Sequence, residues 1–162
     1  IGQKIAKIAK SLGMIIHYHN RSKLSDDKEN GATFHKDLKS LMNVADVLSV
    51  CCPATKETTN LINKQTLEYL PTGAVVTNVA RGDIVDDEAL IEALNSRKVY
   101  AVGLDVYQGE PNLNPGYLKH KSAFILPHLG SSTKSTRTAM GDLAIENIKE
   151  FFETANCKNK VN

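Results

Sequence analysis

The sequence predicts an α/β fold: a doubly wound, mostly parallel sheet with helices on its faces. Two observations carry that prediction. Apolar runs alternate along the whole chain with segments of helical periodicity. The runs themselves, such as Met14-Ile15-Ile16 and Ala74-Val75-Val76, are continuous rather than alternating, as in strands buried on both faces. A chain of 162 residues with 41% apolar and 23% charged residues has enough material for one real core.

Taken in order, Ile5, Ile8, Ala9 and Leu12 recur at helical spacing, and Gly13 suits the end of that helix. Residues 14–19 read as a strand closed by Asn20-Arg21-Ser22, and a solvated loop is expected up to Gly31. A short strand at 32–34 and a short helix through Leu38, Leu41 and Met42 follow. Residues 47–52 form the next strand, stopped by Pro53, and residues 61–70 hold a helix ended by Pro71 and Gly73. After the strand at 74–76 comes a polar turn with Arg81-Gly82. Asp86 then suits an N-cap, Asp87 and Glu88 favour a first turn, and Leu90, Ile91 and Leu94 form an apolar stripe. A strand at 99–106 ends before Gly109 and Pro111, and residues 112–120 are loop with one helical turn at most. Residues 123–126 make a last strand, stopped by Pro127, and 132–154 a long helix with Met140, Leu143, Ala144, Ile148, Phe151 and Phe152 on its apolar side. The domain is expected to occupy residues 1–156 and a tail residues 157–162.

Composition narrows the function. A net charge of +2 makes no electrostatic case for nucleic acid or an anionic membrane as partner. No apolar run approaches the roughly 18 residues of a spanning helix, and no signal peptide is visible. Cys51, Cys52 and Cys157 match neither a zinc site nor a disulfide framework, so a reducing cytoplasm is the default reading. His17 and His19 share a strand face without a third ligand, and His35 and His120 are expected in polar loops. The chain opens on Ile1-Gly2-Gln3-Lys4, already in a helical pattern, and reads as a piece of something longer.

The chemistry lies just past the strands. In a parallel sheet these ends share one edge, where ligands bind. They carry Asn20-Arg21-Ser22, then Pro53, then residues 78–82 with Arg81, then Asp105 and Glu110, and finally His128. A histidine beside a glutamate has its charged form favoured and can exchange a proton near neutrality. An arginine grips a carboxylate with two prongs. Hydride transfer to a 2-oxo acid needs both services. Singly, the plain readings are a surface ion pair for Arg81, a structural histidine for His128 and a solvated turn residue for Glu110. Gly2 at a helix N-terminus suits a phosphate. About 20 residues on, where such folds read the ribose, an acid would suit a free 2′-hydroxyl, whereas Asn20, Arg21 and Ser22 suit a 2′-phosphate. A solvated loop arginine is the plain alternative for Arg21.

Four segments, CCPATKETTNLIN (51–63), NVARGDIVDDEALIEAL (78–94), GLDVYQGEPNLNPGY (103–117) and LPHLGSSTKSTRTAM (126–140), resemble the cofactor-binding domain of the D-isomer-specific 2-hydroxyacid dehydrogenases. The glyoxylate and hydroxypyruvate reductase branch is the nearest likeness, through EPNLNPGY and HNRS. The resemblance implies a Rossmann-type fold lacking its first strand and the substrate domain, so that two strands lose their neighbour. It also implies that Arg81 binds the substrate carboxylate, that Glu110 and His128 form the acid/base pair, and that Asp105 holds the nicotinamide carboxamide. Ile1, Gly2, Asn20, Arg21, Ser22, Cys52, Pro53, Thr58, Val79, Ala80, Gly130 and Ser131 would complete the cofactor site with Arg81, Asp105 and His128. The expected cofactor is NADPH, with NAD possible, the substrate a small 2-oxo acid such as glyoxylate or hydroxypyruvate, and the full-length protein a homodimer. A nucleotide-sensing module of corepressor type and an inactive remnant are the competing readings.

Overall fold

The computed structural model describes residues 1–161. The chain divides into two compact units, 1–127 and 128–162. In the first, α1 (Gly2–Ser11) leads to β1 (His17–His19), α2 (Asp26–Glu29), β2 (Thr33–His35) and α3 (Leu38–Met42). Then come β3 (Val47–Val50), α4 (Lys64–Leu67), β4 (Ala74–Asn78), a 3-10 turn at Gly82–Ile84, α5 (Asp87–Asn95) and β5 (Val99–Leu104). A second 3-10 turn at Tyr117–Lys119 and β6 (Ala123–Ile125) complete it.

Every strand pairing is parallel, as the continuous apolar runs predict. The strands form two sheets, β1-β2 and β3-β4-β5-β6. Among the described residues β1 pairs only with β2 and β3 only with β4, the two unpaired neighbours that the sequence led us to expect. The core lies on the four-stranded sheet: Val50, Val76, Val102 and Leu104 from the strands meet Leu67, Leu90 and Leu94 from α4 and α5.

Local chemistry sets the helix ends. Gly13, at φ +86°, ends α1 with a Schellman arrangement in which Met14 N–H donates to the Ala9 carbonyl and Gly13 N–H to that of Lys10. Asn63 and Thr66 cap α4 reciprocally, and Asp86 caps α5 by accepting from Ala89 N–H at 3.1 Å. Three expectations are corrected. The loop up to Gly31 contains α2, whose four residues DDKE have no apolar periodicity to announce it. The strand expected over 14–19 shortens to β1, and Met14 and Ile15 of its apolar run lie exposed ahead of it. His35 is no loop residue: it closes β2, half-buried, with Nε2 2.9 Å from His17 Nδ1.

The second unit contains α6 (Lys134–Thr154), N-capped by Thr133, which accepts from Thr136 N–H. Met140, Leu143, Ile148, Phe151 and Phe152 on α6 are exposed.

Candidate active site

The four parallel strands end in register. Val50 lies opposite Asn78, Asn78 opposite Leu104, and Leu104 opposite Ile125. The next backbone step holds that line: Val79 N–H donates to the Val50 carbonyl at 3.4 Å, Asp105 N–H to that of Asn78 at 3.0 Å, and Leu126 N–H to that of Leu104 at 2.8 Å. Four loops therefore leave the sheet side by side from one edge.

A cavity of about 450 Å³ opens there, lined by Ile1, Cys51, Cys52, Pro53, Ala54, Val79, Ala80 and Arg81. Its volume falls in the range of roughly 300–1,000 Å³ typical of ligand pockets. Ile1 is the N-cap of α1 and has no side-chain cap bond, so the first amides of a ten-residue helix open beside this cavity. A Cβ on Gly2 would stand 3.4 Å from that of Cys51, so the helix start lies close against the end of β3. These features fit a dinucleotide's phosphates: bare helix amides, no competing acid on the lining, and apolar walls. The Cys52 thiol is pushed up by burial, which keeps it protonated and inert.

Arg81 is exposed on the cavity wall, and its Nη1 donates to the Ala80 carbonyl at 2.6 Å. Gly82, the next residue, is where two loops touch: a Cβ there would fall 2.0 Å from the Tyr107 carbonyl oxygen. Tyr107 N–H in turn donates to Glu110 Oε1 at 3.1 Å. Arg81 and Glu110, 29 residues apart in sequence, thus belong to loops packed backbone to backbone. Gln108 adds a second tie. Its Oε1 accepts from Asp87 N–H at 3.2 Å and its Nε2 donates to Asn60 Oδ1 at 3.0 Å, while Asn60 N–H donates to the Asp83 carbonyl at 2.8 Å. Below them the Tyr117 hydroxyl donates to Asp87 Oδ1 at 2.8 Å, with the two residues 1% and 4% exposed. Burial pushes the Asp87 carboxyl above the usual carboxylate range, against the Tyr117 hydrogen bond, and burial also drives the Tyr117 hydroxyl far up.

The other expected residues fall as follows. Asn20, Arg21 and Ser22 are exposed just past β1, with Asn20 Oδ1 accepting from Arg21 N–H at 2.9 Å. The Glu57 carboxyl is held below its usual range, first by hydrogen bonding to Thr55 and least by the Arg21 charge. Thr58 is not on the cavity lining: its hydroxyl accepts from Thr55 N–H at 2.7 Å and donates to the Pro53 carbonyl at 2.8 Å. Asp105 directly follows β5, half-buried. His128, Gly130 and Ser131 open the second unit, and His128 adopts φ +55°, a left-handed conformation that only a few per cent of non-glycine residues take. Asn78, Gly82 and Gln108 escaped the sequence reading, although Asn78 and Gly82 stand within four residues of one another on either side of Arg81.

Residues 1–130 match the sequence profile of the family described as D-isomer specific 2-hydroxyacid dehydrogenase, NAD binding domain. The chain belongs to that family. It is 41% identical over 154 residues to glycerate dehydrogenase of Hyphomicrobium methylovorum, covering 94% of this chain and 48% of the relative. Among solved structures it resembles a glyoxylate reductase from Paecilomyes thermophila, with a TM-score of 0.90 and 37% identity over 99% of this chain and 49% of that one. An NADPH-dependent glyoxylate/hydroxypyruvate reductase from Sinorhizobium meliloti, in complex with NADP and malonate, has a TM-score of 0.91 and 35% identity, covering 98% of this chain and 49% of that one. The chain spans about half the length of the curated relatives that it matches. Within the dehydrogenase family the Rossmann-type parallel sheet and its NAD(P)-binding role are thereby accounted for.

Proposed function

We propose that residues 1–156 are the cofactor-binding domain of an oxidoreductase that reduces a small 2-oxo acid, of glyoxylate or hydroxypyruvate type, to the D-2-hydroxy acid. The observation that carries this reading is an arginine on the wall of a cavity that also receives an uncapped helix N-terminus. When bound, the nicotinamide supplies the hydride. Arg81 takes the substrate carboxylate in a two-pronged grip and polarises the neighbouring carbonyl. His128 delivers the proton that the new alkoxide needs, and Glu110 keeps His128 charged and oriented. Val79, Ala80, Cys52 and Pro53 wall the cofactor, Gly2 admits its phosphates, and Asp105 holds the carboxamide. Asn20, Arg21 and Ser22 favour NADPH over NADH by meeting a 2′-phosphate. The complex of the Sinorhizobium meliloti relative with NADP supports that preference. A cytoplasmic homodimer without nucleic-acid or membrane partners completes the proposal.

The test uses the full-length protein, NADPH or NADH, and a panel of 2-oxo acids, following loss of nicotinamide absorbance. Turnover is expected, faster with NADPH. Arg81→Ala should lower kcat/KM by about 10²–10³-fold, the scale of losing one preorganised charge-stabilising donor, and His128→Ala by roughly 10²–10⁴-fold. Cys157→Ala should change nothing. Tight nucleotide binding without turnover on any 2-oxo acid would replace this reading with a sensing module.

A further inference from the structure

Asn78 closes β4 and is 1% exposed. Its side chain turns back on the loop that leaves the strand. Nδ2 donates to the Arg81 carbonyl at 2.8 Å, and Oδ1 accepts from Ala80 N–H at 3.0 Å. Between those two bonds lies the Ala80 carbonyl, the group on which the Arg81 guanidinium rests. Burying an amide costs free energy unless its donor and acceptor are both matched. Here both are matched within three residues of Asn78 itself, and neither bond joins one strand to another. The amide therefore contributes nothing to sheet pairing. Its work is to fix the backbone on both sides of Ala80 and so the root from which the Arg81 side chain springs. Only an amide does this at that size. A carboxylate offers acceptors alone, and an apolar side chain leaves the Arg81 carbonyl and the Ala80 N–H without the partners that fix them.

We infer that Asn78 is a positioning residue for Arg81: by clamping residues 80 and 81 it sets the direction of the guanidinium at the cavity wall, and through it the grip on the substrate carboxylate. The inference rests on the function proposed above. Gly82 fixes the far side of the same turn by its contact with Tyr107, so the arginine is held from both flanks and its own backbone has little freedom. Asn78 touches neither substrate nor cofactor in this role. Because Ala80 also walls the cofactor, loss of Asn78 should weaken binding of both ligands, and fall more heavily on the 2-oxo acid that Arg81 grips than on the dinucleotide.

The experiment measures kcat, KM for glyoxylate and NADPH affinity in full-length wild type, Asn78→Asp and Asn78→Ser across the pH range. At alkaline pH, Asn78→Asp should lose about 10- to 100-fold in kcat/KM, the scale expected when a reacting group is displaced by an ångström or less. NADPH affinity should fall by less, within about threefold to fivefold, since Ala80 is one of several groups that wall the cofactor whereas the carboxylate depends on Arg81. Relative to wild type, Asn78→Asp should recover toward acid pH, where burial favours the protonated carboxyl and that group offers the same donor and acceptor as the amide. Asn78→Ser, too short to reach both partners, should lose kcat/KM at every pH without recovery. Should Asn78→Asp fail to fold, the Asn78→Ser result decides: a loss of kcat/KM for glyoxylate that exceeds the loss of NADPH affinity supports the inference, and equal loss of both overturns it. Asn78→Asp tracking wild type at all pH values overturns it as well, with the proposed function intact. Wild type lacking turnover on every 2-oxo acid overturns the function and the inference together.

Discussion

Gly82→Ala is the most exacting test of the edge that joins Arg81 to Glu110. Gly82 lies outside the left-handed region, so alanine meets no backbone objection there. The objection is to the methyl group. Its carbon would stand 2.0 Å from the Tyr107 carbonyl oxygen, 2.2 Å from the Tyr107 carbonyl carbon and 2.7 Å from Gln108 N. Ordinary contact begins at 3.4 Å, so the two loops must part by about 1.4 Å. All three atoms belong to backbone, and no rotamer change can relieve them. Overpacking of this kind costs about 1–3 kcal/mol of folding stability. An ångström of misplacement between groups that act together costs roughly 100-fold in rate. Full-length Gly82→Ala should therefore show a lower thermal midpoint and a kcat/KM for glyoxylate down by about two orders of magnitude. A variant as stable and as active as wild type would refute the claim that this contact sets the spacing of the Arg81 and Glu110 loops.

Two further predictions concern stability. Asp87 has a folded-state pKa raised by burial, so between the ordinary carboxylate value of about 4 and that raised value the folded chain holds a proton that the unfolded chain has released. Wild-type stability should fall as pH rises through this window, whereas Asp87→Asn, which keeps an acceptor for the Tyr117 hydroxyl, should lack that slope. Urea unfolding at a series of pH values checks it, and parallel curves for the two proteins would be the adverse result. Asn63→Ala removes one half of the capping box on α4, whose bonds are 3.1 Å to Thr66 N–H and 2.8 Å from Asn63 N–H to Thr66 Oγ1. It should cost about 1 kcal/mol, read from the urea midpoint, and no measurable change would count against the cap.

Strands β3, β4 and β5 were legible because they carry the buried apolar residues of the sheet, which leave apolar runs that need no tertiary information to recognise. That Arg81 and Glu110 stand on loops past neighbouring strands was legible through those same runs, since a parallel sheet sends its strand ends to one edge. Other features depend on contacts between segments distant in sequence. Nothing in ARGD says that a carbonyl from residue 107 passes over Gly82, and nothing around Asn60 says that Gln108 will reach it. His35 looked like a loop residue because the short strand expected at 32–34 sits one residue further on, and its polar side chain gives no sign of the pairing with His19 that includes it. Asn78 had a visible place at the end of the strand but no visible task, because its partners are backbone groups, which are the same in every sequence.

The division of the strands into a pair and a quartet has a practical consequence for anyone handling this stretch of chain. One continuous sheet has two margins, whereas two separate sheets have four, each bearing amide and carbonyl groups that another molecule can engage. The three-residue pair is too short to recruit a neighbour strongly, but β3 is four residues long and carries Val47 exposed beside that margin. Self-association that grows with concentration, and that spreads from β3, is the behaviour to watch for in residues 1–162 prepared in isolation.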